Sequence, residues 1–277
     1  MSLRQCAQHS LRGSSSSARS TRRAPFAFNA RARPCARAAA GPQVATTSSP
    51  IAPGLRAEPW TDSPTQQQAL ASLRQRFSSD AASPDEDTLK WYLRDRYFDV
   101  DEAEQKLRSM LKWRKAFQPQ ATTPQMVARE LGSGKAYVHT APDKYGRPAI
   151  VIRTKKHVTG EYPINDSKRL AAYLIDTAIS RLPPGGEQIV GIFDLRGFQF
   201  SANADFSFAA FMVEAFFEYY PRRVSQVLFV DAPWVFFPAW EVIKPLMRKY
   251  AALVRFVSVD ELRREFFTPE TLPDDFK

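Results

Sequence analysis

Between Ile189 and Tyr250 the chain concentrates more apolar surface than one layer of helices can hide from water. Eleven of its twenty phenylalanines stand between Phe193 and Phe237. Ile189–Val190–Gly191–Ile192–Phe193 and Val227–Leu228–Phe229–Val230 are continuous apolar runs of strand length, the pattern of strands covered on both faces. Between them, residues 205–220 read as a helix that is apolar nearly all round, with Phe206, Phe208, Phe211, Phe216, Phe217, Tyr219 and Tyr220 pointing in every direction. Such a helix must be covered on more than one side. Glu214 and Glu218 make it too charged, and its length too short, to cross a bilayer. Burial between sheet and helices would cover it, and so would an enclosed apolar guest; the residues alone leave both open.

The formal charge of +10 invites a nucleic-acid reading, but its distribution argues against one. Residues 1–57 carry nine arginines, no lysine and no acid, and the first carboxylate is Glu58. The remainder holds thirty basic and twenty-nine acidic residues, so the charge belongs to the leader, and no nucleic-acid partner is expected. That leader is rich in Arg, Ser and Ala, with Ser14–Ser17 in a row and no continuous apolar core, the composition of an organellar transit peptide. Abundant serine and a scarcely charged Met1–Ser2–Leu3 favour the chloroplast, with peripheral residence on envelope or thylakoid membranes. Both cysteines, Cys6 and Cys35, fall in this segment, so neither a disulfide nor a cysteine metal site is expected beyond it. No run of eighteen apolar residues occurs.

Helix signals dominate residues 64–131. Ser83–Pro84–Asp85–Glu86 reads as an N-cap followed by a first-turn proline, and Asp99 with Glu102 caps the next helix. A shorter helix is expected from Thr123 to Leu131. From Ala136 the period changes: Tyr137–Val138–His139 and Ala149–Ile150–Val151–Ile152 flank Asp143–Lys144–Tyr145–Gly146 as a hairpin. A helix over 166–182 and alternating strands and helices at 189–194, 205–220, 226–231, 235–249, 254–258 and 259–267 argue for parallel strands joined by crossover helices. The fold class is therefore α/β, with a helical N-terminal lobe.

Four motifs in order carry a resemblance. They are Leu93–Arg94–Asp95–Arg96–Tyr97–Phe98–Asp99–Val100 with Trp113–Arg114; Asp143–Lys144–Tyr145–Gly146–Arg147–Pro148; Asp194–Leu195–Arg196–Gly197; and Tyr219–Tyr220–Pro221–Arg222–Arg223, then Asp231–Ala232–Pro233–Trp234, Trp240 and Lys244–Pro245. Together, over about residues 85–270, they resemble the CRAL-TRIO lipid-binding domains. The resemblance implies a largely parallel sheet with crossover helices and an apolar cavity over 132–277, preceded by a small helical lobe over 58–131 and the targeting segment over 1–57. It also implies non-enzymatic binding and transfer of a hydrophobic ligand, without a cofactor or a metal, by a monomer that docks on membrane lipid.

In that family the helix equivalent to 235–249 is a gate over the pocket. Here Phe236, Trp240, Ile243 and Met247 share one face, Lys244, Arg248 and Lys249 are cations, and Pro238 and Pro245 interrupt its hydrogen bonds. The expected pocket wall comprises Ile150, Ile189, Gly191, Phe208, Phe211, Phe229, Trp234, Phe236 and Trp240. Lys244, Arg248, Lys249, Arg222 and Arg223 are the expected docking surface for anionic lipid such as phosphatidic acid. In phosphatidylinositol-binding members the headgroup meets the positions of Arg96 and Asp143, but the threonine and lysine that complete that site are Ala251 and Val254 here, and the acid after Tyr–Tyr–Pro is Arg222. Arg96 reads equally well as an ion pair between lobe and domain. The polar positions of choline-lipid members are His139, Ile150, Ile189 and Gly191, which argues against phosphatidylcholine and suits an isoprenoid or carotenoid. A membrane-recruited lipid sensor, supporting vesicle formation or thylakoid biogenesis, is the alternative to a carrier.

Gly132–Ser133–Gly134–Lys135 imitates a phosphate-binding loop, but Arg129 replaces its first glycine and Ala136 its Ser/Thr. His139 and His157 lack partners at metal spacing, and no nucleophile–base motif is present, so no catalytic residue is expected.

Overall fold

The computed structural model describes residues 57–80 and 83–277. Apart from Ala57, the expected targeting segment lies outside the described residues, as do both cysteines.

Three helices form the N-terminal lobe. α1 (Pro64–Arg76) starts at Ser63, whose side chain accepts the Gln66 amide. α2 (Glu86–Asp95) starts at Asp85, which accepts the Thr88 amide at 2.6 Å. The N-cap is thus Asp85 and not Ser83: a carboxylate beside the exposed first-turn amides suits the positive helix end, and Pro84 stays outside. α3 (Val100–Phe117) is capped by Asp99 on the Glu102 amide at 2.9 Å, as its spacing requires. These helices bury Leu70, Leu73, Phe77, Leu89, Leu93 and Leu107 in a core of their own. The helix expected from Thr123 is confined to α4 (Ala128–Gly132), and Val127 before it packs into the sheet layer.

The sheet has strand order β1-β2-β3-β4-β5, with β1 (Ala136–Val138) antiparallel to β2 (Ala149–Arg153) and β3 (Ile189–Asp194), β4 (Val224–Val230) and β5 (Val254–Val257) parallel to it. The β1–β2 turn is held by Asp143, which accepts the amides of Tyr145 and Arg147, while Gly146 adopts φ 73° at no steric cost. The crossovers are α5 (Ile164–Ser180), then α6 (Phe200–Asn203) with α7 (Phe206–Glu214), and α8 (Phe237–Met247). Because the strands are added in one direction and parallel crossovers share one hand, all three connections fall on the same face. α9 (Val259–Phe266), with a complete capping box from Ser258 and Glu261, covers the other face together with Phe267, Leu272 and Phe276. The helix expected over 205–220 is α7 continued by a wider π-type turn, Ala215–Tyr219, which lays Tyr219 flat on Trp113 of the lobe at 4.3 Å. Among the described residues no helix is long and apolar enough to cross a membrane.

Candidate ligand cavity

The two-residue period of a strand sends Ile150 and Ile152, Ile189, Gly191 and Phe193, and Val227 and Phe229 to the face that meets α5, α7 and α8. Gly191 lies between Ile150 and Val227 in register, and the side chain it lacks leaves a dent at the centre of that face. Above it the protein's own atoms do not close. A cavity of about 160 Å³ lies under α7 and α8, and a lobe of about 60 Å³ continues it towards α5. The two share Phe193, Phe208, Met212, Phe216, Val227 and His157 in their walls. At about 24 cal/mol per Å³, the larger lobe forgoes roughly 4 kcal/mol of packing that an apolar guest restores. Apolar hollows of this size accept hydrocarbon.

The wall of the larger lobe includes Phe229, Phe236, Ala239, Ile243 and Met247, so α8 turns one stripe inward at helical spacing. Its other side carries the exposed Val242, Lys244 and Leu246, with Arg248 and Lys249 just beyond its end. Phe237 is exposed as well, and Trp234, at the head of this segment, is 81% exposed. The helix contains Pro245 and stops at Arg248, whose φ of 49° and ψ of −128° lie outside the comfortable regions for a side chain. Phe206 lines the cavity and is also exposed, placing an opening at the start of α7.

Polar side chains at the wall are few and mostly satisfied. Thr154 donates to the Asp194 carbonyl at 2.6 Å, and Asn203 donates to the His157 carbonyl at 2.9 Å. Lys135 is buried in an ion pair with Glu130 and donates to Ser167 at 3.1 Å, which in turn donates to Glu130. The false phosphate loop thus ends in a neutralised lysine. His157 stacks on Phe208 at 5.0 Å and places Nε2 3.4 Å from Asp205, the N-cap of α7. Burial, and then the nearby Lys135 charge, hold its pKa below the ordinary histidine value. Among the described residues no cluster of three His, Cys, Asp or Glu could hold a metal ion.

The structure brings together Phe208, Phe229 and Phe236 in the larger lobe and Ile150, Ile189, Gly191 and Phe208 in the smaller one. Other expected wall residues stand elsewhere. Phe211 is buried against Phe117, and Trp240 packs edge-on to Phe229 and Phe256, both one layer behind the cavity. Trp234 faces solvent. Asp143 spends its oxygens on its own turn and on Arg147. Arg96 pairs with Asp95 and Glu102, both inside the lobe, so its expected ion pair to the main domain is not formed, and Arg222 bridges to Asp95 instead. Neither Asp143 nor Arg96 lines the cavity.

Two of the five expected docking cations are corrected. Arg222 is 4% exposed and binds Asp95 at 2.7 Å; Asp95 also receives Lys106 at 2.8 Å. A guanidinium buried at the corner between lobe and sheet needs that carboxylate and cannot face a bilayer. Arg223 lies 3.7 Å over the Trp91 ring and bonds the Glu187 carbonyl, and burial lowers its pKa. Lys244, Arg248 and Lys249 remain exposed. Motif position missed Met212, Phe216, Ala239 and His157; the four-residue spacing of Ala239, Ile243 and Met247 was the available signal for α8.

An α/β layer with an amphipathic helix over an apolar hollow defines a class of lipid-binding domain. The family model for the CRAL/TRIO domain matches residues 131–277, and the chain belongs to that family. A CRAL-TRIO domain-containing protein of Schizosaccharomyces pombe is 29% identical over 152 residues, 51% of this chain and 34% of the relative. The phosphatidylinositol transfer protein CSR1 of Eremothecium gossypii is 28% identical over 148 residues, 53% and 34% respectively. The SEC14 cytosolic factor of Yarrowia lipolytica is 28% identical over 176 residues, 58% and 36%. The chain therefore spans about a third of the length of these curated relatives. The crystal structure of Sfh5 superposes with a TM-score of 0.57 at 14% identity, covering 75% of this chain and 85% of that one, a likeness of fold.

Proposed function

We propose that this protein binds a hydrophobic ligand in the α7–α8 cavity and carries it between membranes of the chloroplast, without catalysing a reaction. The observation that carries the reading is the double face of α8: Ala239, Ile243 and Met247 line the hollow, while the same helix and its flanks expose apolar and cationic side chains. A surface of Trp234, Phe237, Val242 and Leu246 bordered by Lys244, Arg248 and Lys249 suits the interface of an anionic bilayer, phosphatidic acid included. Pro245 and the unfavourable backbone at Arg248 weaken the end of the helix, where a hinge belongs.

Energetics explain why docking precedes exchange. At about 0.8 kcal/mol per methylene, a chain of about sixteen carbons costs on the order of 13 kcal/mol to expose to water. Opening α8 only against a bilayer avoids that exposure. The chloroplast address rests on the composition of residues 1–57. Transfer is tested with donor vesicles carrying a fluorescent phospholipid or polyene and unlabelled acceptors containing phosphatidic acid. Protein-dependent movement supports the carrier. Vesicle binding with no movement of any ligand would replace it with the lipid-sensing module, and protein that extracts no lipid from any vesicle would end the cavity reading.

A further inference from the structure

The root of α8 meets the cavity wall through one pair of rings. Phe217 lines the larger lobe and stacks face to face on Tyr250, with centroids 3.9 Å apart and planes at 9°. Tyr250 follows closely on Arg248, where φ 49° and ψ −128° strain the backbone of any residue that carries a Cβ. Pro245, in the last turn of the helix, removes a hydrogen bond from the same stretch. Such a conformation persists only where its surroundings hold it. Met247 holds this stretch from within the cavity wall, and Tyr250 holds it through Phe217.

Phe217 belongs to the π-type turn Ala215–Tyr219, whose backbone is fixed. The Tyr220 amide closes the turn on the Ala215 carbonyl at 2.8 Å, and Trp113 of the lobe holds Tyr219 flat and Tyr220 edge-on. The freedom that remains is in the Phe217 side chain, which borders about 160 Å³ of space. A hollow of about 150 Å³ takes up benzene, so this one has room for the ring to turn inward. Phe217 thus has two positions, stacked on Tyr250 or turned into the hollow. Hydrocarbon in the hollow removes the second by excluded volume. It therefore binds one state better than the other, which is the condition for a ligand to shift an equilibrium.

We propose that Phe217 and Tyr250 are positioning residues of an occupancy-sensing latch. A filled cavity holds Phe217 on Tyr250 and so pins the root of α8, while an unfilled one lets Phe217 turn inward and frees it. The inference rests on the cavity being the ligand site and α8 its moving cover, and it adds how closure follows loading. Ligand and Phe217 compete for one volume, so the cover is fastened after a chain has entered and loosened after it has left. Strain at Arg248 supplies the opposing force, because leaving that backbone conformation is downhill. The latch uses the ring of Tyr250 and not its hydroxyl.

The test is hydrogen exchange at the amides of residues 248–252, none of which lines the cavity. The purified chain is compared delipidated and reloaded from vesicles of phosphatidylcholine, phosphatidic acid and β-carotene, with co-purifying lipid quantified. Reloading should slow exchange at these amides about fivefold, the contribution of one stacked pair. In Tyr250→Ala the loaded and delipidated rates should agree within about twofold, although lipid still co-purifies. Tyr250→Phe keeps the stack and should restore the parent's difference, which loss of a merely structural side chain would not predict. The parent by itself is a second test that needs no variant: equal exchange with and without co-purifying lipid overturns the latch. So does a loading effect that survives Tyr250→Ala, or one that Tyr250→Phe abolishes. Any of these results leaves the lipid carrier standing, whereas a parent that takes up no lipid overturns the cavity and the latch with it.

Discussion

Replacing Gly191 by Val tests whether the space above the sheet is a site or a packing defect. Glycine in a central strand weakens it by roughly 0.5–1 kcal/mol, so its presence between Ile150 and Val227 asks for a reason. A Cβ built at Gly191 meets only the Phe193 ring, at 3.6 Å, an ordinary contact. The two methyls of valine would enter the lobe of about 60 Å³. Filling it recovers about 1.4 kcal/mol at roughly 24 cal/mol per Å³. With the backbone contribution, the delipidated variant should be more stable than the parent by about 2 kcal/mol. For a folded region of this size that is a rise in Tm of roughly 4–8 °C. The variant should also load less ligand, since it shortens the cavity. Urea titration of delipidated protein measures the first effect and lipid extraction after vesicle incubation the second. A loss of 1 kcal/mol or more would mean the lobe has no room, and unchanged loading would mean that no ligand reaches it.

Three further outcomes are expected. Reversing Lys244, Arg248 and Lys249 to Glu should lower affinity for phosphatidic-acid vesicles by at least about a hundredfold at low salt, at about 1 kcal/mol per cation removed, with an unchanged thermal midpoint; co-sedimentation checks the first and calorimetry the second. Asp95→Asn strips the counter-charge from buried Arg222 and Lys106 and should cost about 3 kcal/mol in urea titration. Lys106, whose pKa burial already lowers, can shed its proton, but Arg222 cannot. His157, whose burial and then the nearby Lys135 charge hold its folded pKa below the ordinary histidine value, binds fewer protons folded than unfolded, so its contribution is complete above that ordinary value and is lost as pH falls towards the lowered one. Urea midpoints between pH 7.5 and 5.5 should fall less in His157→Phe than in the parent, in which Lys135 and Asp205 flank the ring; parallel curves would refute this.

The architecture was legible because it rests on periodicity and order. Alternation along 149–153, 189–194 and 224–230 sets which side chains face the helices, and the four motifs appear in family order along the chain. Asp99 could be assigned as a cap because that contact is local, three residues long. The N-cap of α2 shifted from Ser83 to Asp85 because both were eligible and only the trajectory of the chain chose between them.

What failed was whatever depends on partners distant in sequence. Arg222 and Arg223 look like free cations beside a turn, yet Asp95 and Trp91, more than a hundred residues earlier, remove them from solvent. Trp240 and Ala239 are neighbours in the chain, but one helical step of rotation puts the alanine at the cavity and the tryptophan behind Phe229. His157 was passed over for want of metal partners, and its place between two lobes emerges only when β2, β3 and α7 are assembled. From its residues alone this protein was bound to build an α/β layer carrying a surplus of aromatic surface. Whether that surplus packs solid or encloses a hollow was decided by the relative placement of α7 and α8 over the glycine dent, because volume left between elements is a property of their arrangement and of no single segment.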